Sequence, residues 1–571
     1  MLPVAMAKQG AQEVEWQFDA VDIRPVERWL VQSPAKPASM SVTPAGVQTI
    51  VDTYTDTDDW RVYRAGYSLR IRRTVRRFEA TLKGLDAAVD GLRRRQEISQ
   101  PVASADPSGL PAEGGPVGDR VRAMIGNSHL ELLFQVRTRR KIFQLDAGGA
   151  PAAEIVLDQT TIPVADGQES ARLRRVEVEA RGDAADLATF ARQMREACGL
   201  QPASLSKFEA ALLAKGLDPQ AAFHYGSTEV GPDSSLGEVA FAVLRRDFHR
   251  LLAHEPGTRL GEDPEELHDM RVASRRLRAA LGLFRPALPV AATRLRDELG
   301  WLGELLGAVR DLDVQWAQSQ VLASAGDPLG PDAVGALAAL LLSRREEARR
   351  VLVQALDSRR YERLTRSFAG FLRRGPVRRS VIARAPARAL VPDLLETLYG
   401  KVRKARRRIG GTGSPAAYHK LRIRCKRLRY GLEFVTPVYD GPVPPMVRRV
   451  VKVQDILGLH QDAQVAMARL REWVGADDLG FSPLTVFALG GLAERYAQQA
   501  GGLRKAFPKV YRKLSGPWGD LKKVLERERP PGWRPAANVM SEGGPWTSTS
   551  SDTPSPPSAT ARGGQTTASG P

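Results

Sequence analysis

Up to about Gly216, apolar and polar residues alternate in short runs: "EVEWQF", "YSLRIRR", "FEATLKG", "LRRRQEIS", "EIVLDQTTI" and "LRRVEVEA". Residues two apart share character and turn residues separate the runs, which is the signal of antiparallel strands. "ADLATFARQMREACGL", late in this part, reads as a helix. Past a Gly-, Pro- and Ser-containing stretch the period changes. Apolar residues then recur every three or four positions in long segments rich in Ala, Leu and Arg, which predicts helices. From Pro530 the composition, "PPGWRPAANVMSEGGPWTSTSSD" and onward, cannot bury a core and reads as a disordered tail. The pattern predicts an α+β multidomain chain. A strand-built domain covers 12–217, a linker 218–235, a helical domain 236–525, and the tail 530–571.

The helical part contains a repeat. "HDMRVASRRLRAALGLF" from His268 matches "HKLRIRCKRLRYGLEF" from His419, and "GELLGAVRDLD" from Gly303 matches "QDILGLHQDAQ" from Gln454, both at an offset of 151 (419 − 268). Two motifs holding one offset imply an internal duplication, hence two helical bundles related by a pseudo-twofold. On a helical wheel His268, Arg271, Arg275 and Arg278 form one stripe, with Met270, Leu277, Leu281 and Phe284 opposite. The second copy sets His419, Arg422, Lys426 and Arg429 against Leu421, Leu428 and Leu432. Cations at this spacing repel one another by a few tenths of a kcal/mol per pair. A salt-bridged solvent face, using Asp311 or Asp462, is the plain reading. A stripe that occurs twice, with a histidine at the same end each time, favours a linear polyanion, because arginine forks grip phosphate oxygens.

This duplicated H-x-x-R-x-x-x-(R/K)-R-x-R pattern resembles the CHAD domain (conserved histidine alpha-helical domain). The resemblance implies two four-helix bundles that bind inorganic polyphosphate. It makes His268, Arg271, Arg275, Arg278, His419, Arg422, Lys426 and Arg429 the expected polyphosphate contacts.

In the strand part, carboxylates or arginines repeat at i and i+2: Glu13 and Glu15, Arg70 and Arg72, Arg93 and Arg95, Arg137 and Arg139, Glu177 and Glu179. An open sheet with one wet face would account for each strand singly. A closed barrel would collect them on an inner wall, where carboxylates suit a divalent cation and arginines suit phosphate. The ordered set "EVEWQ", "TYTDT", "LRIR", "TLKG", "RQE", "VEVE" and "LSKFE" resembles the CYTH domain of the triphosphate tunnel metalloenzymes. That resemblance implies an eight-stranded antiparallel tunnel using Mg²⁺ or Mn²⁺. By position, Glu13, Glu15 and Glu179 become metal ligands with Glu177 and Asp158 assisting, and Arg70, Arg72, Lys83, Arg95, Arg139 and Lys207 line the phosphate channel. Glu13, Glu15, Lys83 and Arg139 are the expected catalytic set. The signature E-x-E-x-K departs here: its lysine is Gln17.

Composition narrows the partners. Lys plus Arg number 84 against 65 Asp plus Glu, for a formal charge of +19, which favours anionic partners. The two cysteines, Cys198 and Cys425, have no metal-ligand spacing and form no disulfide framework. The N-terminus has no signal-peptide pattern, and the longest apolar run, "AVGALAALLL", is half what a membrane span needs. The expectation is a cytoplasmic protein, associated with polyphosphate granules in one variant of the reading. It hydrolyses inorganic triphosphate or short polyphosphate in the tunnel and binds polyphosphate with the helical half. The alternative is a non-catalytic polyphosphate binder with a degenerate tunnel. Adenylate cyclase activity is a weaker choice, because no adenine-reading feature is visible, and nucleic acid is the weaker polyanion.

Overall fold

A computed structural model describes residues 11–532 except 33–39, 76, 165–169, 182–184, 325–330, 410–412, 440, 442, 476–480 and 482. The expected disordered tail lies almost wholly outside the described residues.

Eight strands form the N-terminal part: β1 (Ala11–Asp19), β2 (Met40–Asp56), β3 (Tyr67–Arg73), β4 (Phe78–Gly84), β5 (Leu92–Val102), β6 (Glu131–Ala147), β7 (Ala150–Ile162) and β8 (Ala171–Ala180). They run in the order β5-β4-β3-β2-β6-β7-β8-β1, and β1 pairs back onto β5, so the sheet closes into an antiparallel barrel. The strand Gln201–Pro202 adds briefly to β1. Closure leaves no long free edge.

Register sets which side chains face inward. Glu13 stands opposite Arg95, Glu15 opposite both Arg93 and Glu179, Gln17 opposite Glu177, and Arg140 opposite Asp158. The alternate residues Trp16, Phe18, Ile155, Val176 and Val178 pack outward under the helices α1 (Arg24–Gln32) and α3 (Ala185–Cys198). A second outer cluster, including Leu69, Ile71 and Leu82, lies under α2 (Gly115–Ile125), whereas Tyr54, Phe134 and Val136 share the inner face with Asp52 and Arg140 and pack there with Phe208 of α4 (Lys207–Lys215). The wall is therefore apolar outside, while inside charged residues share the face with one apolar cluster around Tyr54 and Phe134.

The longer of the remaining helices are α5 (Leu236–Ala253), α6 (Pro264–Leu283), α7 (Ala291–Ser324), α8 (Pro331–Leu356), α9 (Arg359–Arg374), α10 (Ala387–Arg407), α11 (Pro415–Val435), α12 (Val443–Val474), α13 (Pro483–Arg512) and α14 (Ser515–Arg527). The duplication is visible in where they begin: 387 − 236 and 415 − 264 both equal 151. At the pseudo-twofold, Ser235 and Pro386, which correspond at that offset, pair as an isolated antiparallel bridge. Leu236 N–H donates to the Ala385 carbonyl at 2.8 Å, and Ala387 N–H donates to that of Ser234 at 2.9 Å. One apolar core runs through both repeats. Leu277, fully buried on α6, belongs to it. Leu277→Ala should lower stability by about 2–5 kcal/mol, read as a shifted denaturant midpoint of the helical signal. A shift below about 0.5 kcal/mol would remove Leu277 from the core.

The barrel abuts the helical half through ion pairs, among them Arg120 with Glu262 at 2.7 Å and Arg61 with Glu255 at 3.9 Å. Among the described residues no helix is long and apolar enough to cross a membrane.

Candidate functional site

The barrel interior is a network of ion pairs in two groups. Around β1, Lys83 Nζ lies 2.8 Å from Glu13 and 3.0 Å from Glu97, and 3.6 Å from Glu15. Arg95 donates to Glu15 and, at 3.3 Å, to Glu13. Arg70 reaches Glu97 at 3.6 Å. Arg72 takes Asp52 in a two-bond fork at 2.8 and 3.0 Å. Burial pushes the Glu13 carboxyl up to about 7; Lys83 pulls against that, while Glu15 and Glu97 add to it. Burial also pushes on Glu97, but Lys83 and Arg70 outweigh it and bring that carboxyl down to about 2.

The second group gathers Asp158 and Glu177. Arg140 forks onto Asp158 at 2.9 and 2.7 Å and also reaches Glu177 at 3.1 Å. Lys207, the first residue of α4, enters the barrel and donates to Asp158 and, at 3.1 Å, to Glu177. Against burial, Lys207 and Arg140 hold Glu177 well below the usual carboxylate range.

Gln17 joins the two groups. Its amide N–H₂ donates to Glu15 at 3.0 Å and to Glu177 at 3.2 Å. Its carbonyl oxygen accepts from Arg93 Nε at 3.1 Å. Arg93 is itself held by the carbonyls of Asp86 and Ser204, both at 2.9 Å. A neutral amide can donate to both carboxylates and accept from the guanidinium, which an ammonium cannot do. Positive charge still stands here, delivered by Arg93.

The structure corrects one expected position. Arg139, opposite Thr49 and Gln159, is exposed on the outer wall together with Arg137, and the inward arginine of β6 is Arg140. A one-residue difference flips a strand side chain to the other face. The expected carboxylate set also separates. Glu13 and Glu15 stand with Lys83 and Arg95, Asp158 and Glu177 with Arg140 and Lys207, and Glu179 is exposed beside Glu15. Arg93 stands on the inner wall, as the alternation in its strand predicts, and Arg140 and Asp52 belong there without having been assigned a role from sequence. The fork between Arg140 and Asp158 needs cross-strand register, which no single strand carries.

Carboxylate oxygens are the hard donors that Mg²⁺ and Mn²⁺ take. Glu13, raised by burial and by neighbouring carboxylates, is a group whose ionised form an added cation would favour. The donor chemistry of Glu13, Glu15 and Glu179 therefore fits such an ion. Among the described residues no three His, Cys, Asp or Glu side chains stand together as a metal-holding group, and Lys83 and Arg95 pair with Glu13 and Glu15.

The helical half brings both basic stripes to one place. Arg271 and Arg275 of α6 act electrostatically on Arg422 and Lys426 of α11. Burial, and then Arg275, Arg422, Arg271 and Arg429, push the Lys426 ammonium down to about 6. Carboxylates offset part of this: Arg271 lies 3.7 Å from Asp311, Arg429 lies 3.2 Å from Glu433, and Asp462 acts on Arg422 and Lys426. The Arg278 guanidinium lies over Gly300 and Gly303 of α7, and that of Arg271 over Gly307, where a Cβ would come within 3.6 Å of it. His268 is pushed down by burial and by Arg310, and His419 Nδ1 lies 2.9 Å from Gln461.

Comparison with known proteins agrees with this architecture. The family model for the CYTH domain matches residues 30–211, and that for the CHAD domain matches residues 242–471. No curated protein matches the chain. Among solved structures, the CHAD domain from the plant Ricinus communis is 27% identical, covering 52% of this chain and 93% of its own, at a TM-score of 0.37. PptA from Streptomyces chartreusis is 20% identical over 49% of this chain and all of its own, at 0.42. The putative adenylyl cyclase HpAC1 from Hippeastrum, described as having a dominant triphosphatase activity, is 16% identical over 36% of this chain and 99% of its own, at 0.29.

Proposed function

Because the chain joins a CYTH domain to a CHAD domain, we propose that its barrel hydrolyses inorganic triphosphate or short polyphosphate with a divalent metal, and that its helical half binds polyphosphate. The observation that carries this reading is the barrel's inner wall, where closely set cations and carboxylates replace much of the apolar filling of an ordinary small barrel. Arg70, Arg72, Lys83 and Arg95 would exchange carboxylate partners for phosphate oxygens. Arg93 would add charge beside Gln17, and Lys207 would close the far group. Glu13, Glu15 and Glu179 would hold the ion, which when bound neutralises charge on phosphate oxygens.

Phosphate release from tripolyphosphate, with and without Mg²⁺ or Mn²⁺, is the test. Glu13→Gln should lower a metal-dependent rate by at least about 100-fold, since even partners that only support a metal site cost 10–100-fold. Its cooperative melt should survive. An unchanged rate would remove Glu13 from the site. The second reading, a polyphosphate binder without catalysis, is favoured by Gln17, whose amide leaves the signature position uncharged. Absence of metal-dependent release from wild type, together with tight polyphosphate binding, would select it.

Lys426 makes polyphosphate binding depend on pH. The free protein holds its ammonium down to about 6, so at pH 7 it is mostly neutral. A bound phosphate chain stabilises the charged form, so the complex holds more protons than the free protein above pH 6. Affinity should therefore fall as pH rises from about 6. Calorimetry in two buffers of different ionisation enthalpy should read an uptake of about one proton near pH 7. Lys426→Met should remove most of it, and an uptake unchanged in that variant would exclude Lys426.

A further inference from the structure

The two repeats differ at one matched place on their long helices. At the offset of 151 (449 − 298), Glu298, Trp301 and Glu304 of α7 correspond to Arg449, Lys452 and Asp455 of α12. In the first repeat the place is filled from α9. Arg360 forks onto Glu298 at 2.7 and 3.3 Å, and its guanidinium lies 4.2 Å from the centre of the Trp301 ring. In the second repeat both the carboxylate and the ring have become cations. A cavity of about 180 Å³ is found there, lined by Arg449, Lys452 and Asp455 of α12, Val510 of α13 and Lys513 just beyond it. Among the described residues, no carboxylate comes within ion-pair distance of Arg449, Lys452 or Lys513.

The cavity is separate from the basic stripes. Val451, Gln454 and Gly458 correspond to Gly300, Gly303 and Gly307, over which Arg278 and Arg271 lie in the first repeat. With 3.6 residues per turn, Arg449 points about 180° away from Gly458 and Lys452 about 120° away. The cavity therefore opens on the side of α12 turned from α11, and Lys452, Asp455 and Lys513 are exposed to solvent there.

The lining describes a particular anion. The space is well over ten times the roughly 10–15 Å³ that admits one water, so a tetrahedral oxyanion has room. A guanidinium forks onto two of its oxygens and ammoniums take the others. Three cations less one carboxylate leave a charge of +2 (3 − 1), which a dianion balances. Asp455 repels an anion without protons but accepts a hydrogen bond from one that carries a hydroxyl, because an ionised carboxylate only accepts. Orthophosphate carries such a hydroxyl in neutral solution, and sulfate does not. We propose that this cavity binds free orthophosphate as its monoprotonated dianion, with Asp455 selecting it by the hydroxyl. The proposal depends on neither the barrel's chemistry nor polyphosphate at the stripes.

The test uses the full chain with its lysines methylated with ¹³C, which keeps their charge, followed by NMR. The signals of Lys452 and Lys513 are identified by their loss in Lys452→Arg and Lys513→Arg. Orthophosphate should shift both signals saturably, with an affinity about tenfold or more above that of sulfate at equal ionic strength. Methyl phosphate at about pH 8, well above the second pKa of about 6 for such an ester, has lost its hydroxyl and should bind as weakly as sulfate. Asp455→Asn should bring sulfate and orthophosphate within about twofold of each other, because an amide can donate to either. Arg449→Glu, which installs the first repeat's residue, should abolish both shifts. Replacing Arg271, Arg275, Arg422 and Lys426 with Ala should leave them in place. The wild-type comparison of the three anions stands whether or not any variant folds. Sulfate or methyl phosphate binding as well as orthophosphate would overturn the selection by Asp455. Orthophosphate that moves neither signal, or moves them only while the stripe cations are present, would overturn the site.

Discussion

Asp158→Ala is expected to cost the barrel about 3–5 kcal/mol, the range for removing one partner of a buried pair. Asp158 is fully buried and receives two bonds from Arg140 and one from Lys207. Without it both cations must share Glu177, and one carboxylate cannot neutralise two. Denaturant unfolding followed by fluorescence of the barrel's tryptophans, such as Trp16, would read the loss. Asp158→Asn, which keeps the shape, should lose nearly as much, because what is missing is charge. A loss below about 1 kcal/mol in both variants would mean that Glu177 alone suffices. The contrast with Glu13 is informative. Both are carboxylates of the inner wall, yet Asp158 should report on stability and Glu13 on metal-dependent turnover.

Removing four cations of the helical half should abolish tight polyphosphate binding without weakening the fold. In the variant Arg271→Ala, Arg275→Ala, Arg422→Ala and Lys426→Ala, the salt slope of binding should fall by about 0.7 per engaged cation, or about 2–3 in all. Thermal melting should stay level or rise, because the three arginines repel one another in the free protein. A surface patch held together by salt bridges would behave oppositely, losing stability as its pairs are broken. Wild type should also prefer long-chain polyphosphate to duplex DNA at equal phosphate concentration. Equal affinity for the two would reduce the stripe to general basic surface, and unchanged affinity in the folded variant would remove these residues from the site.

Local pattern carried much of this architecture. The two-residue period marked the strands, and the offset of 151 between the two His-led motifs anticipated helices starting at 236 and 387 and at 264 and 415. Pattern did less well where long-range pairing decides. Arg139 and Arg140 are adjacent in a 17-residue strand with a register shift on each side, so which of them faces inward depends on their opposition to Asp158. Lys207 was assigned to the channel by motif, but its entry into the barrel from the first turn of a helix is a tertiary fact. The apolar cluster that joins Leu312 and Leu341 of one repeat to Leu470 and Trp473 of the other was invisible for a similar reason. Leu312, Leu341 and Trp473 sit in long helices whose apolar positions look alike, and only the fold distinguishes those that touch the other repeat.

The bridge between Ser235 and Pro386 has a consequence for how the chain is made. Its partners are separated by 151 residues, and synthesis from the N-terminus proceeds at about 5–20 residues per second. For roughly 8–30 s after Ser235 is joined, the entrance to α5 has nothing to pair with. The barrel precedes that point entirely and can close on its own strands, whereas the first helical bundle must wait at its seam. Joining ends so far apart in sequence also carries a loop-closure cost that local helix formation avoids. Assembly of the helical half is therefore paced by the arrival of its own second copy.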